Sequence, residues 1–286
     1  MEVAVSVTYI RDFCKLSLPE EVLEDNAQRK ITTRYVPLGV TVGLVPWNYP
    51  MQLACHKLAP ALLTGNAFIW KPSPFGPYCA LKMAELGQRF FPHGVLQALS
   101  GDDSLGPLLT EHPGVNMVSF TGSTPSGKKV LESCSKTVKR ATVELGGNDP
   151  AIVCADVDPV YVGTMVALIA FFATSQICIA VKRVYVHEAV YDAVLAAITG
   201  FAQQLKMGLD ETSFMGPVSN KAQYEFVKAL LADCKDAGLK VVSRDADSLP
   251  SDLNGYFIPP TVIDNPPEYS RIVTEEQFGK CANSAP

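Results

Sequence analysis

Between residues 41 and 147 the chain repeats one pattern: a short apolar run, a turn marked by Gly or Pro, and a longer stretch with helical spacing. Residues 41–45, 67–70, 95–99, 116–120 and 141–145 read as strands. Residues 51–63, 78–91, 104–110 and 126–133 read as the helices between them, and Pro72 and Pro74 are expected to halt the second strand. Strands joined by crossover helices pair in parallel, since a tight turn cannot bring the next strand back in the same direction. Such a sheet is buried on both faces, which accounts for runs as apolar as TVGLV. The pattern predicts an α/β fold with a doubly wound parallel sheet, an architecture that takes nucleotides at the carboxyl ends of its strands.

A second α/β run begins near Asn148. Residues 151–154 and 183–186 are expected strands, and residues 161–172, 189–205 and 222–236 expected helices, the last stopped by Gly238. The double glycine Gly146-Gly147 marks the division, giving domains 1–146 and 147–286. A chain of 286 residues suits two such units better than one small domain.

Composition narrows the partners. The formal net charge is −5, so no general attraction to nucleic acid or anionic lipid is expected, and any phosphate must be held locally. The eight cysteines form no CxxC pair and no His spacing suited to zinc, so neither a disulfide framework nor a metal site is expected. Met1 leads directly into mixed sequence rather than a signal peptide, which fits reduced thiols and a cytoplasmic location. Residues 159–181 carry no charge and approach the length of a spanning helix. Thr174-Ser175-Gln176 interrupts them, so a buried helix running into a buried strand is expected instead.

Several residues sit where chemistry is placed in such a fold. Asn48, within PWNYP at residues 46–50, follows a strand; its amide can donate to a developing oxyanion, or it can serve as a turn residue or helix cap between two prolines. Gly122 and Ser123 join a strand to a helix, a turn that can cradle a phosphate or simply cap the helix. Glu144 ends a strand ahead of two glycines; with an apolar approach its carboxyl could rise in pKa and act as a base, or it could simply point to solvent at a strand end. Cys178 lies where helix gives way to strand, as a core filler or as a nucleophile if backbone amides stabilise its thiolate. Lys71 can reach a ribose or phosphate, or remain a solvated surface lysine.

Together these pieces resemble the aldehyde dehydrogenase family. The motifs occur in the family's order: PWNYP at residues 46–50, WKPS at 70–73, FTGSTPSG at 120–127, ELGG at 144–147, QIC at 176–178 and EEQFG at 275–279. The resemblance implies oxidation of a small aldehyde to a carboxylic acid with NAD or NADP. Cys178 would be the nucleophile, Glu144 the base that activates water, and the Asn48 amide a donor to the oxyanion. Lys71 and Ser73 would contact the adenosine ribose, Gly122 and Ser123 the pyrophosphate, and Glu276 the nicotinamide ribose, with Phe278 close by. Val45, Pro46, Trp47, Gly101 and Leu145 would complete the lining. The first domain would then bind the dinucleotide, the second would be an incomplete catalytic domain, and residues 21–36 would form the hairpin through which relatives assemble as homo-oligomers.

The chain also departs from the family pattern. Ala173 and Ser175 stand where the family has Asn and Gly before the nucleophile, so strain of ~1 kcal/mol or more is expected if the backbone at Ser175 needs positive φ. Pro74 stands where many NAD-preferring members carry Glu, which removes a repulsion against a 2′-phosphate. Residues 280–286 turn polar where the family continues with apolar strand, and the family's N-terminal segment is absent. A second sheet left half-built, with unpaired edges, is therefore expected. These departures leave a second reading, an inactive dinucleotide-binding fragment.

Overall fold

The computed structural model describes residues 2–243, 254–279 and 281–285. Their contacts divide into two units, Met1–Leu145 and Gly146–Pro286.

The first unit opens with α1 (Glu2–Phe13) and an antiparallel hairpin, β1 (Glu21–Asp25) and β2 (Lys30–Thr33). Then come β3 (Val40–Val45), α2 (Pro50–Leu63), β4 (Ala67–Pro72), α3 (Tyr78–Gly87), β5 (Leu96–Ala98), α4 (Leu105–Glu111), β6 (Met117–Thr121), α5 (Thr124–Ser135) and β7 (Arg140–Glu144). The sheet order is β5-β4-β3-β6-β7, and every pairing is parallel. The doubly wound reading thus holds. β3 is central, which explains its unbroken burial from Thr41 to Val45. Gly43 is required there: a Cβ would lie 2.4 Å from Phe68 Cζ. β4 runs on through Pro72 rather than stopping before it, because its pairing with β3 extends to Val45 opposite Pro72. Proline is tolerated at that last position, where the strand's need for an N–H donor ends. Two apolar clusters pack the two faces, one around Val42, Leu109, Val118 and Phe120, the other around Phe68, Trp70, Leu58 and Leu96.

The second unit contains β8 (Asp149–Val153), α6 (Pro159–Phe171), β9 (Val181–Val186), α7 (Tyr191–Gln204), α8 (Lys221–Asp236), β10 (Lys240–Ser243), β11 (Thr261–Asp264), α9 (Arg271–Thr274) and β12 (Cys281–Ala285). Its sheet order is β10-β11-β12-β9-β8, parallel except where β10 meets β11. Asp158 caps α6 by accepting from Val160 and Tyr161 N–H at 3.0 and 3.1 Å, and Pro159 opens its first turn. α6 crosses α7 closely at Gly163, where a Cβ would meet Ala197 Cβ at 2.7 Å. Val166, Ala167, Phe171, Val194 and Ile198 fill the space between these helices and β9.

Two expectations change here. The polar segment near the C-terminus does not break away: β12 is inserted between β11 and β9, with Ala282 and Ser284 buried, so this sheet is five-stranded with pairing on both sides of β12. Backbone pairing makes the strand, and the buried Ala282 and Ser284 are small enough to sit between its neighbours. Lys280 and Pro286, part of the same expected departure, lie outside the described residues. The uncharged stretch 159–181 resolves into α6, 13 residues long, a tight turn and the start of β9. No helix among the described residues is long and apolar enough to cross a membrane.

Candidate active site

In the first unit the strand order reverses between β3 and β6. The chain lays β4 and β5 to one side of β3 and returns to place β6 and β7 on the other. The turns leaving β3 and β6 diverge, and a crevice opens at the strands' carboxyl ends. This cleft has a volume of about 700 Å³. Val45, Pro46 and Trp47 line it from the end of β3, Lys71 and Ser73 from the end of β4, and Gly122 and Ser123 from the turn after β6.

Gly101 and Leu145 are not among the residues that line this cleft. From the loop holding Gly101 it is Asp103 that lines the cleft, followed by Gly106 and Pro107 of α4. Leu145 turns toward α5, close enough that a Cβ on Gly127 would fall 2.4 Å from its Cδ2. It packs on the core cluster of that face.

Ser123 is the N-cap of α5; its hydroxyl accepts from Ser126 N–H at 3.4 Å and donates to Ser126 Oγ at 3.0 Å. The N-terminus of a 12-residue helix, with its positive end, borders the cleft. Lys71 is buried, and burial pulls its pKa down while Asp103 and Asp102 push it back up. Lys129 and Lys136 add charge to the same wall.

Asn48 lies half-buried in the turn between β3 and α2. It is not the cap of α2: the N-cap is Tyr49, and the Met51 and Gln52 N–H groups donate to the Glu2 carboxylate at 2.6 and 2.7 Å. Glu144 is exposed, not set in apolar surroundings, because β7 is an edge strand whose alternate residues face outward. It pairs in register with Thr121 of β6. Sequence reasoning passed over its neighbour Lys57. That lysine is buried in α2 and donates to Thr121 Oγ1 at 2.7 Å and to Ser119 Oγ at 3.2 Å. Burial lowers its pKa to about 8, against the opposing charge of Glu144. Nothing in the helical spacing around Lys57 signals its burial; only the strand packed against it does.

In the second unit α6 ends in a tight turn in which Ala173 (φ 47°, ψ 37°) and Thr174 (φ 61°, ψ 27°) are left-handed, followed by Ser175 (φ 61°). The strain foreseen at Ser175 therefore extends over consecutive non-glycine residues, at roughly 1–2 kcal/mol each. Tertiary bonds hold it. Thr174 Oγ1 accepts from Gly216 N–H at 3.1 Å, Gln176 Oε1 accepts from Ser219 N–H at 2.8 Å, and Lys182 Nζ donates to Ser175 O.

Cys178 follows this turn, half-buried. Burial pushes its thiol pKa up most, and the charges of Glu276 and Asp149 push the same way; hydrogen bonds from its own N–H and that of Ile179 oppose them. Glu276 accepts from Gly147 N–H at 3.2 Å. Burial raises the pKa of its carboxyl, opposed by that N–H and by Lys182. Both glycines of ELGG are needed: a Cβ on Gly146 would lie 1.9 Å from Glu276 Oε2, and one on Gly147 would lie 2.7 Å from the Cys178 carbonyl oxygen. Phe278 is itself left-handed, with φ 43°. Its carbonyl accepts from Gln223 Nε2 at 3.2 Å. Among the described residues no cluster of His, Cys, Asp and Glu could hold a metal ion.

Comparison with known proteins adds to this geometry. The sequence model of the aldehyde dehydrogenase family matches residues 1–282. A putative aldehyde dehydrogenase FUS7 of Gibberella fujikuroi is 39% identical over 279 residues, covering 98% of this chain and 58% of the relative. A 3,6-anhydro-L-galactose dehydrogenase solved in complex with NAP superposes with a TM-score of 0.93 at 32% identity, over 99% of this chain and 61% of that one. A C291A variant of aldehyde dehydrogenase C from Pseudomonas syringae, complexed with NAD+ and octanal, gives 0.93 at 29% identity, over 100% of this chain and 59% of that one. The chain thus spans about three-fifths of the length of these relatives.

Proposed function

Since the chain belongs to the aldehyde dehydrogenase family, we propose that it serves in the oxidation of an aldehyde to a carboxylic acid with NAD(P)+, with Cys178 as nucleophile. The observation that carries this reading is the setting of Cys178: a half-buried thiol directly after a turn of three consecutive left-handed non-glycine residues. A filler cysteine needs no such strain ahead of it.

The residues of the first unit's cleft fit a dinucleotide. The helix N-terminus at Gly122 and Ser123 suits a pyrophosphate, and Lys71 with Ser73 suits a ribose or an adjoining phosphate. Pro74, exposed at the cleft wall, brings no carboxylate against a 2′-phosphate, which favours acceptance of both NAD+ and NADP+. When bound, the nicotinamide supplies the two-electron acceptor that the chain itself lacks.

The chain's own residues do the rest. The Cys178 thiolate adds to the aldehyde carbon, and the carbonyl oxygen takes up negative charge that amide donors stabilise, the role assigned to Asn48 and the Cys178 N–H. Once the carbon is oxidised to the acyl level, water deprotonated by Glu144 attacks the thioester, releasing the acid and returning the thiol.

The test is aldehyde-dependent formation of NAD(P)H, read at the absorbance of the reduced nicotinamide, with Cys178→Ser as control. Turnover abolished by the substitution supports the reading. A folded chain that binds dinucleotide yet shows no turnover with a panel of aliphatic and aromatic aldehydes overturns it in favour of a binding fragment.

A further inference from the structure

Lys182 lies on β9 with its side chain fully buried. An ammonium leaves water at heavy cost unless its hydrogens find acceptors. Its Nζ donates to the carbonyl oxygen and to the hydroxyl oxygen of Ser175, each at 2.5 Å. Ser175 is also fully buried, and it closes the left-handed run Ala173-Thr174-Ser175. Glycine occupies that region freely, whereas serine does so only when its surroundings impose it.

We propose that Lys182 is a positioning residue for Cys178: by clasping Ser175 through two oxygens it locks the left-handed turn from which the thiol is presented. The ammonium and the hydroxyl together replace the conformational freedom that a glycine at 175 would provide. The charge of Lys182 also acts on Glu276, whose charge with that of Asp149 acts on the thiol. One side chain thus joins the turn, the carboxylate beside the sulfur and the strand that follows. The inference rests on Cys178 being the nucleophile, yet its test requires no turnover.

The experiment follows alkylation of Cys178 by iodoacetamide across pH, quantified on the Cys178 peptide by mass spectrometry. The charged groups around the sulfur are Glu276 and Asp149, with Lys182 behind them. Lys182→Met should slow alkylation about tenfold at pH 7.5 and move the midpoint upward by about one unit, because the turn that sets the thiol is released. In a Ser175→Gly background, where the turn needs no clasp, the same substitution should cost less than about threefold.

An unchanged profile in Lys182→Met, or an equal loss in both backgrounds, overturns the proposal. Should Lys182→Met fail to fold, Ser175→Ala decides, since it deletes only the hydroxyl. An upward midpoint then upholds the clasp and an unchanged midpoint refutes it. A chain that shows this coupling but oxidises no aldehyde would remove the proposed function and keep the clasp.

Discussion

The ammonium of Lys57 is hydrogen-bonded at 2.7 Å to the hydroxyl of Thr121, the residue that pairs in register with Glu144 on the neighbouring strand. A buried cation thus stands one side chain away from the carboxylate assigned as base. Its folded pKa of about 8 lies below the ordinary 10.5, so the unfolded chain binds this proton more tightly than the folded one.

The sign of the pH dependence follows. Keeping Lys57 charged in the folded state costs stability below about pH 8, and the cost fades as pH rises toward 10.5. Relative to Lys57→Met, the unsubstituted chain should gain on the order of 1–3 kcal/mol across that window. Urea unfolding followed by tryptophan fluorescence reads this directly, because both tryptophans, Trp47 and Trp70, lie in the first unit. A difference that stays flat with pH would mean that Lys57 is not buried as described.

Glu276→Gln should make the Cys178 thiol more acidic. Glu276 acts on the sulfur as a like charge that disfavours the thiolate. Its removal should lower the midpoint for alkylation and speed the reaction at pH 7.5 by about three- to tenfold. Slower alkylation would show that the carboxylate aligns the thiol more than it repels it.

Gly147→Ala should be the more damaging of the two glycine substitutions in ELGG. Its added Cβ would meet the Cys178 carbonyl oxygen at 2.7 Å, a backbone atom that cannot swing aside. At Gly146 the obstacle is the Glu276 carboxylate, the end of a flexible side chain. A loss of about 2 kcal/mol or more is expected for Gly147→Ala, with a smaller loss for Gly146→Ala. Thermal unfolding of the two variants side by side checks the order.

Dinucleotide binding should depend on Lys71. Lys71→Met removes a cation from the cleft wall and should raise Kd for NAD+ about tenfold, equivalent to about 1.4 kcal/mol. Titration by quenching of Trp47, which lines the same cleft, gives the constant without requiring catalysis. Equal affinity in the variant would place the ligand away from β4.

Much of the first unit was legible because its signals are local. The apolar runs of β3, β4 and β6 and the Gly and Pro stops between them follow from residues adjacent in sequence, and the strand order then puts Val45, Pro46, Trp47, Gly122 and Ser123 around one crevice. Motif order likewise singled out Cys178 and Glu276, which the fold brings to within each other's electrostatic reach. The misses come from distant partners. Nothing in the spelling of Leu145 tells that Gly127 leaves a hollow for it, and only the edge position of β7 settles that Glu144 is exposed.

What the residues determined by themselves was therefore periodicity: which segments are strands, which are helices, and where the turns must carry glycine. Tertiary structure alone decided the rest. It made a strand of CANSA by supplying β9 and β11 on either side, because backbone hydrogen bonds ignore side-chain polarity. It held three left-handed residues ahead of Cys178, because bonds from Gly216, Ser219 and Lys182 outweigh a local preference that runs the other way.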